Sequence, residues 1–356
     1  MHQNNRLSFI DQDIYVGIDT GKRSWTVTIL TDHFEHKTFN QPPKPGVLLS
    51  YLRKHFPDGH YLCAYEAGYF GFWICEFLRE HGVDCMVVHA ADIPTKDKER
   101  RNRNDRVDSR KLARNLRNGE LTPLYIPSRQ AQEDRSLVRM RMQMVRKQTR
   151  CKNQIKAHLS LYGIDIPADL VRSHWSNRFI TWLENVNFQY ASGDHSLSAL
   201  LSELRHLRQI ICDLTKHIRR LALQEPYSTL VPYLKSVPGV GILTAMVFLT
   251  EIVDIKRFKN IDHLASYVGL IPGEDSSGDQ EVHTGISRRR NQHLRYLIIE
   301  SSWVAVRKDP ALIKSFNELS KRMPKNKAII RIARKLLRRM HFVLKNQEYY
   351  EPCVVS

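Results

Sequence analysis

Along the early chain the apolar positions change period repeatedly. Ile14-Tyr-Val-Gly-Ile18 is a short apolar run, Trp25-Thr-Val-Thr-Ile-Leu30 alternates with period two, and Phe34 to Phe39 offers a third extended segment across a polar turn. These predict three consecutive strands. Val47 to Phe56 has helical spacing, Tyr61 to Tyr65 reads as a strand, Phe70 to His81 as a helix, and Asp84 to His89 as another strand. Between about Ser128 and Glu225 strand signals vanish and Gly and Pro become sparse, apart from the break Tyr162-Gly-Ile-Asp-Ile-Pro167. Long helices are the prediction there. Leu197, Leu200, Leu204, Leu207, Ile211, Leu214, Ile218 and Leu221 alternate spacings of three and four, the seam of a coiled coil. Its expected partner is the helix from about Gln130 to Leu161, with Leu137, Met140, Met144, Ile155 and Leu159 on its apolar face. The pattern allows an antiparallel hairpin within one chain and a dimerising coil between chains.

Three strands followed by alternating helix and strand is the order of an α/β ribonuclease H-like domain, whose mixed sheet gathers acids at strand ends. The expected organisation is such a domain over 12–127, a helical coiled-coil region over 128–225, and a mostly α-helical C-terminal domain over 226–350. The last opens with Leu234-Lys-Ser-Val-Pro-Gly-Val-Gly-Ile-Leu-Thr-Ala245, which resembles a helix-hairpin-helix turn. There Gly239 and Gly241 would let backbone N–H groups approach a phosphate at a helix N-terminus. The alternative is a plain turn between packed helices. From Asn326 to Leu344 an apolar stripe (Ile329, Ile332, Ala333, Leu336, Leu337, Met340, Val343) faces a basic one (Arg331, Arg334, Lys335, Arg338, Arg339).

Charge sharpens the picture. Fifty-five Lys and Arg against thirty-seven Asp and Glu leave a formal charge of +18. No segment approaches the roughly 20 apolar residues of a transmembrane helix, so the excess points to nucleic acid before membrane. It is clustered: nine Lys or Arg lie between Arg129 and Lys156, and ten between Lys96 and Arg117. Arg101, Arg103, Arg139, Lys147, Arg288, Arg289, Arg290 and Arg295 are the candidate phosphate contacts, with Gly239 and Gly241. The six cysteines are scattered, without CxxC or zinc-finger spacing, and read as thiols in a reducing compartment. The N-terminus lacks a secretory signal, so a cytoplasmic location is expected.

Within this basic chain four acids stand out. Asp19 follows directly on the first strand and Glu66 on the strand Tyr61 to Tyr65, so parallel neighbours would set them side by side. Asp105 and Asp108, three apart at the start of a helical stretch, share one face. Singly each reads as a solvated acid or an N-terminal helix charge. Together they could hold hard divalent cations, Mg²⁺ or Mn²⁺ in its place, that activate a phosphodiester. Residues alone leave the nucleophile open between water and a hydroxyl.

Asp19 in Val-Gly-Ile-Asp-Thr-Gly-Lys, Glu66 in Tyr-Glu-Ala-Gly, and Asn104-Asp-Arg-Val-Asp-Ser-Arg-Lys-Leu-Ala113 resemble the DEDD motifs of insertion-sequence transposases related to the Piv invertases, insertion-sequence family one hundred and ten. The resemblance continues through Ser236-Val-Pro-Gly-Val-Gly241, Tyr267-Val-Gly-Leu-Ile-Pro272, Ser276-Ser-Gly278, Gly285-Ile-Ser-Arg288 and Asn291 to Arg295, in the family's order. It implies a RuvC-like domain binding Mg²⁺ through Asp19, Glu66, Asp105 and Asp108. It also implies a C-terminal domain whose serine, here Ser277 before Gly278, forms a covalent phosphoserine link to DNA. A homodimer or homotetramer acting on donor and target DNA, guided by a non-coding bridge RNA in a bacterial or archaeal, nucleoid-associated setting, is implied as well.

The chain departs from the family's pattern at Ser109, where alanine is frequent, at Gly68, and at Ser276, which adjoins the nucleophile position. From composition alone Ser277 is a loop hydroxyl in a Ser-Ser-Gly turn. Arg288, Arg289, Arg290 and Arg295 could neutralise a phosphorane, and the acids could reach Ser277 only across a domain or subunit contact. Two other readings fit the basic helices equally: a metal-dependent junction resolvase or nuclease using water, and a non-catalytic nucleic-acid-binding protein.

Overall fold

The computed structural model describes residues 8–95, 104–171, 175–277, 280–287 and 290–352, with the backbone alone over 273–285. Residues 1–126 and 127–356 form two compact units.

In the first unit β1 (Asp13–Thr20), β2 (Trp25–Leu30), β3 (Glu35–Gln41), β4 (His60–Glu66) and β5 (Asp84–Val88) make one sheet in the order β3-β2-β1-β4-β5. The meander β1 to β3 is antiparallel, whereas β4 and β5 add in parallel. The helices α1 (Pro45–His55) and α2 (Trp73–Glu80) supply the crossovers. Alternation decides what each face meets. Ile14, Val16 and Ile18 of β1 join Leu48 and Leu52 of α1 and Ile74 and Leu78 of α2 in one core. The opposite face, through Gly17 and Thr28, receives α3 (Asp105–Arg117). This mixed sheet is consistent with the ribonuclease H-like order expected.

The second unit is almost wholly helical: α4 (Arg129–Leu161), α5 (Asn177–Glu184), α6 (Ala191–Leu221), α7 (Tyr227–Ser236), α8 (Ile242–Ile252), α9 (Ile261–Val268), α10 (Gln292–Ala305), α11 (Pro310–Arg322) and α12 (Lys325–Asn346). A hairpin of β6 (Pro272–Ser277) and β7 (Gln280–Ile286) interrupts them. Helical periodicity on either side hid it, and the polar β6 segment carries little strand signal, although Val282, Thr284 and Ile286 alternate along β7.

Within the chain α4 and α6 run antiparallel, since Arg141 Nε donates to Thr215 Oγ1 at 2.7 Å near one end and Cys151 Sγ lies against the Leu200 carbonyl at 3.4 Å nearer the other. Every position of the predicted seam is at least partly buried, and Leu201 joins it. On α4 the apolar face is shifted from expectation: Val138 and Cys151 are buried while Met140 is 43% exposed. The stripe on α12 is buried as expected. Residues Ala245 to Ile252 of α8 are all buried, which makes this short helix the axis of the C-terminal helices and places Glu251 in an apolar interior.

Candidate active site

Strand register assembles the acids. Ile18 is paired with Tyr65, so the next residues, Asp19, still within β1 rather than after it, and Glu66, the last of β4, occupy neighbouring parallel strands on the face shared with Gly17 and Ala64. Gly17 admits α3 to that face: a Cβ there would stand 2.1 Å from the Ser109 carbonyl oxygen and 2.5 Å from the Ala113 amide. Ser109, fully buried, shares a 2.9 Å hydrogen bond with Thr28 Oγ1 and so locks the helix to β2. Asn104 caps the start of α3 by accepting from the Val107 amide at 2.9 Å. Asp105 and Asp108 thereby occupy its first turn, where the helix dipole favours carboxylates.

The acids act on one another electrostatically. Burial, then the charges of Asp105, Asp108 and Glu66, raise the Asp19 carboxyl from 3.8 to about 6, against a smaller pull from Lys111. Lys111, in sequence one cation among many, is only 3% exposed. Its ammonium donates to Asp108 Oδ1 at 2.8 Å and lies 3.7 Å from Glu66 Oε1. That Glu66 oxygen is buried and without a hydrogen-bond partner. Among the described residues no three acidic, His or Cys side chains are already drawn into a metal-ligand cluster. The Lys111 ammonium instead sits between Asp108 and Glu66. A divalent cation nevertheless suits these donors: they are hard oxygens, one is orphaned, and their mutual repulsion is what a cation would relieve.

Two loops leaving the same strand ends carry groups that sequence reading missed. Tyr69, three residues after Glu66, is 80% exposed, and the Lys22 ammonium sits 4.3 Å from its ring centroid. Gly21 holds the Lys22 loop tight, since a Cβ there would stand 2.5 Å from the Ser24 carbonyl. Tyr65 Oη anchors the Tyr69 loop by donating to the Gly71 carbonyl at 2.9 Å.

In the second unit Ser277 ends β6 and pairs with Gln280, so its backbone lies at the tip of the hairpin. Arg290 is exposed, as is Lys147 on α4. Arg295 donates through Nη1 to the carbonyls of Gly269, at 3.0 Å, and Ser287, at 2.7 Å. Arg139 forms a two-pronged pair with Glu251, Nε to Oε1 at 2.6 Å and Nη2 to Oε2 at 2.8 Å. Gly239 has φ of +89°, and a Cβ on it would stand 2.5 Å from the Ser301 carbonyl, so this glycine serves close packing against α10. Gly241 is open and precedes α8 without a side-chain cap. Arg101, Arg103, Arg288 and Arg289 lie outside the described residues.

A sheet that carries two acids on neighbouring strands, with two more in the first turn of the helix packed on it, defines the class: a DEDD domain followed by a helical second unit. The chain is matched over residues 16–164 by the profile of the DEDD transposases and over 231–318 by that described as "Transposase IS116/IS110/IS902 family". Together the two stretches take in more than half of the sequence, and the chain belongs to this transposase family. It is 31% identical over 245 residues to the Sinorhizobium fredii protein y4qE, a transposase by name, covering 68% of this chain and 58% of that protein. It is 28% identical over 253 residues to the transposase for insertion sequence element IS1111A of Coxiella burnetii, covering 70% and 68% respectively. A second Sinorhizobium fredii protein named as a transposase, y4rJ, is 28% identical over 371 residues, covering 91% of this chain and 90% of its own. No helix among the described residues is long and apolar enough to cross a membrane.

Proposed function

We propose that this protein recombines the DNA of an insertion sequence, cutting and rejoining phosphodiesters through a covalent phosphoserine at Ser277. Asp19, Glu66, Asp105 and Asp108 would hold Mg²⁺, or Mn²⁺ in its place. When bound, such a cation polarises a phosphoryl oxygen and lowers the pKa of a coordinated hydroxyl. The observation that carries the reading is the crowding of four carboxylates, whose charges add to burial in lifting Asp19 to about 6, inside a chain of charge +18. Acids in a polyanion-binding protein are costly unless a cation offsets them.

The remaining side chains divide the work. Lys111 holds Asp108 in place and limits repulsion while no cation is bound. Lys22 is placed to meet a phosphate beside the acids, and the Tyr69 ring to stack on a base. In the second unit Lys147 and Arg290, both exposed, are suited to backbone phosphates, as is the open N-terminus of α8 after Gly241. A homodimer or homotetramer, with a bridge RNA from the element choosing donor and target, completes the proposal. It is supported by family resemblance and by the basic surface.

A denaturing gel of the protein incubated with Mg²⁺, labelled element-end DNA and transcript of the element's flanks tests this. A labelled band at protein mass is expected, absent for Ser277→Ala while DNA binding persists. Free 5′-phosphate ends without such a band would make the protein a hydrolytic nuclease. No cleavage under any divalent cation would make it a nucleic-acid-binding protein only.

A further inference from the structure

We infer that Glu251, Asn291 and Arg295 are positioning residues that clamp the two legs of the Ser277 hairpin. The inference rests on the proposed role of Ser277 and extends it to the structure beneath the serine.

The legs of the hairpin are tied at three levels. Nearest the strands, the Ser287 amide donates to the Ile271 carbonyl at 3.1 Å, which extends the ladder below β6 and β7. One level down, Arg295 Nη1 spans both legs, reaching the Gly269 carbonyl before β6 and the Ser287 carbonyl after β7. At the foot, the Asn291 amide donates to the Tyr267 carbonyl at 3.0 Å. The Asn291 side chain works in two directions. Its Oδ1 accepts from the His293 and Leu294 amides and starts α10, while its Nδ2 donates to Glu251 Oε2 at 2.8 Å.

Glu251 is the fixed point. It is 1% exposed on the buried helix α8, and it receives both prongs of Arg139 from α4. Burial alone would push its carboxyl up; the hydrogen bonds and charge of Arg139, with Asn291, hold it below the usual range. Arg135 adds a 2.8 Å bond to the neighbouring Thr250 carbonyl, and Tyr267 Oη one of 3.3 Å to the Glu251 carbonyl. A buried ion pair contributes little net stability compared with a well-packed apolar group, but it tolerates only one geometry. Here that geometry links α4, α8, α9 and α10 to both legs of a two-stranded ribbon, which alone is marginally stable. A nucleophile at the tip needs such support, because displacement of a reacting group by about 1 Å can cost on the order of a hundredfold in rate.

The test uses full-length Arg295→Ala, Arg295→Lys and Asn291→Ala proteins, with three readouts: hydrogen exchange across 272–287, affinity for element-end DNA, and the rate of adduct formation on bound DNA. Arg295→Ala and Asn291→Ala are expected to speed hairpin exchange and slow adduct formation about a hundredfold, with affinity changed less than threefold. Arg295→Lys, which can still donate to one carbonyl, should recover part of the rate. Unchanged hairpin exchange in both alanine variants, or an affinity loss that accounts for the whole rate loss, would overturn the clamp and return Arg295 to a phosphate contact. If the wild type forms no adduct at Ser277 yet the alanine variants loosen the hairpin, the clamp stands and the nucleophile assignment fails.

Discussion

Gly17 of β1 and Ser109 of α3 are in backbone contact, and only a glycine permits it: a Cβ would stand 2.1 Å from the Ser109 carbonyl oxygen. The obstacles are backbone atoms, so no rotamer change relieves them. Gly17→Ala should push α3 from the sheet, costing on the order of 3 kcal/mol and moving Asp105 and Asp108 away from Asp19. Denaturant unfolding reads the loss; an unchanged midpoint would mean that α3 has another seat.

Ser109→Ala removes the side chain that bonds Thr28 of β2, with a milder result. Thr28 Oγ1 keeps its 2.9 Å bond to Thr38, so no buried hydroxyl is orphaned. The expected cost is about 1 kcal/mol, with metal-dependent activity retained. A loss above about 3 kcal/mol would show that this hydrogen bond, rather than Gly17, seats the helix.

Lys111→Met tests the ammonium among the acids. Without divalent cations the variant should lose on the order of 2 kcal/mol, less than a fully buried pair because Asp108 and Glu66 remain partly solvated. The rise in melting temperature on adding Mg²⁺ should be larger than in the wild type, since no ammonium need be displaced. A smaller rise would place the cation elsewhere.

The Asp19 carboxyl gives a pH signature in the presence of a chelator. Its folded value, about 6, lies above the ordinary 3.8, so between these limits the folded state binds more protons than the unfolded. Through this group, stability is greatest below pH about 4, falls as pH rises to about 6, and is flat above. Asp19→Asn should remove that slope and melt higher than the wild type at pH 7. An Asn variant that keeps the slope would assign it to another acid.

The strand order, the acids at strand ends and the stripe of α12 were legible in the sequence because period and punctuation agree there. Asp105 and Asp108 were readable as a pair, but their approach to Asp19 depends on Gly17, whose meaning appears only once α3 is folded against it. Lys111 was lost among nine neighbouring cations; only burial distinguishes it. The Ser277 hairpin escaped because Pro272-Gly-Glu-Asp-Ser-Ser277 lacks β-branched and aromatic residues. Glu251 and Asn291 left no local signal, since their partners are distant in sequence. Arg139 and Arg295 look like phosphate ligands in a basic chain, yet the fold engages both internally.

The measurement that bears most directly on the central claim is peptide mapping of the protein–DNA adduct formed with Mg²⁺ by the wild type and by Asp108→Asn. The account predicts a nucleotide on the Ser277 hydroxyl in the wild type and at least a hundredfold less in the variant, with DNA binding intact in both. A nucleotide on Ser276 or any other side chain, or equal adduct from Asp108→Asn, would contradict it.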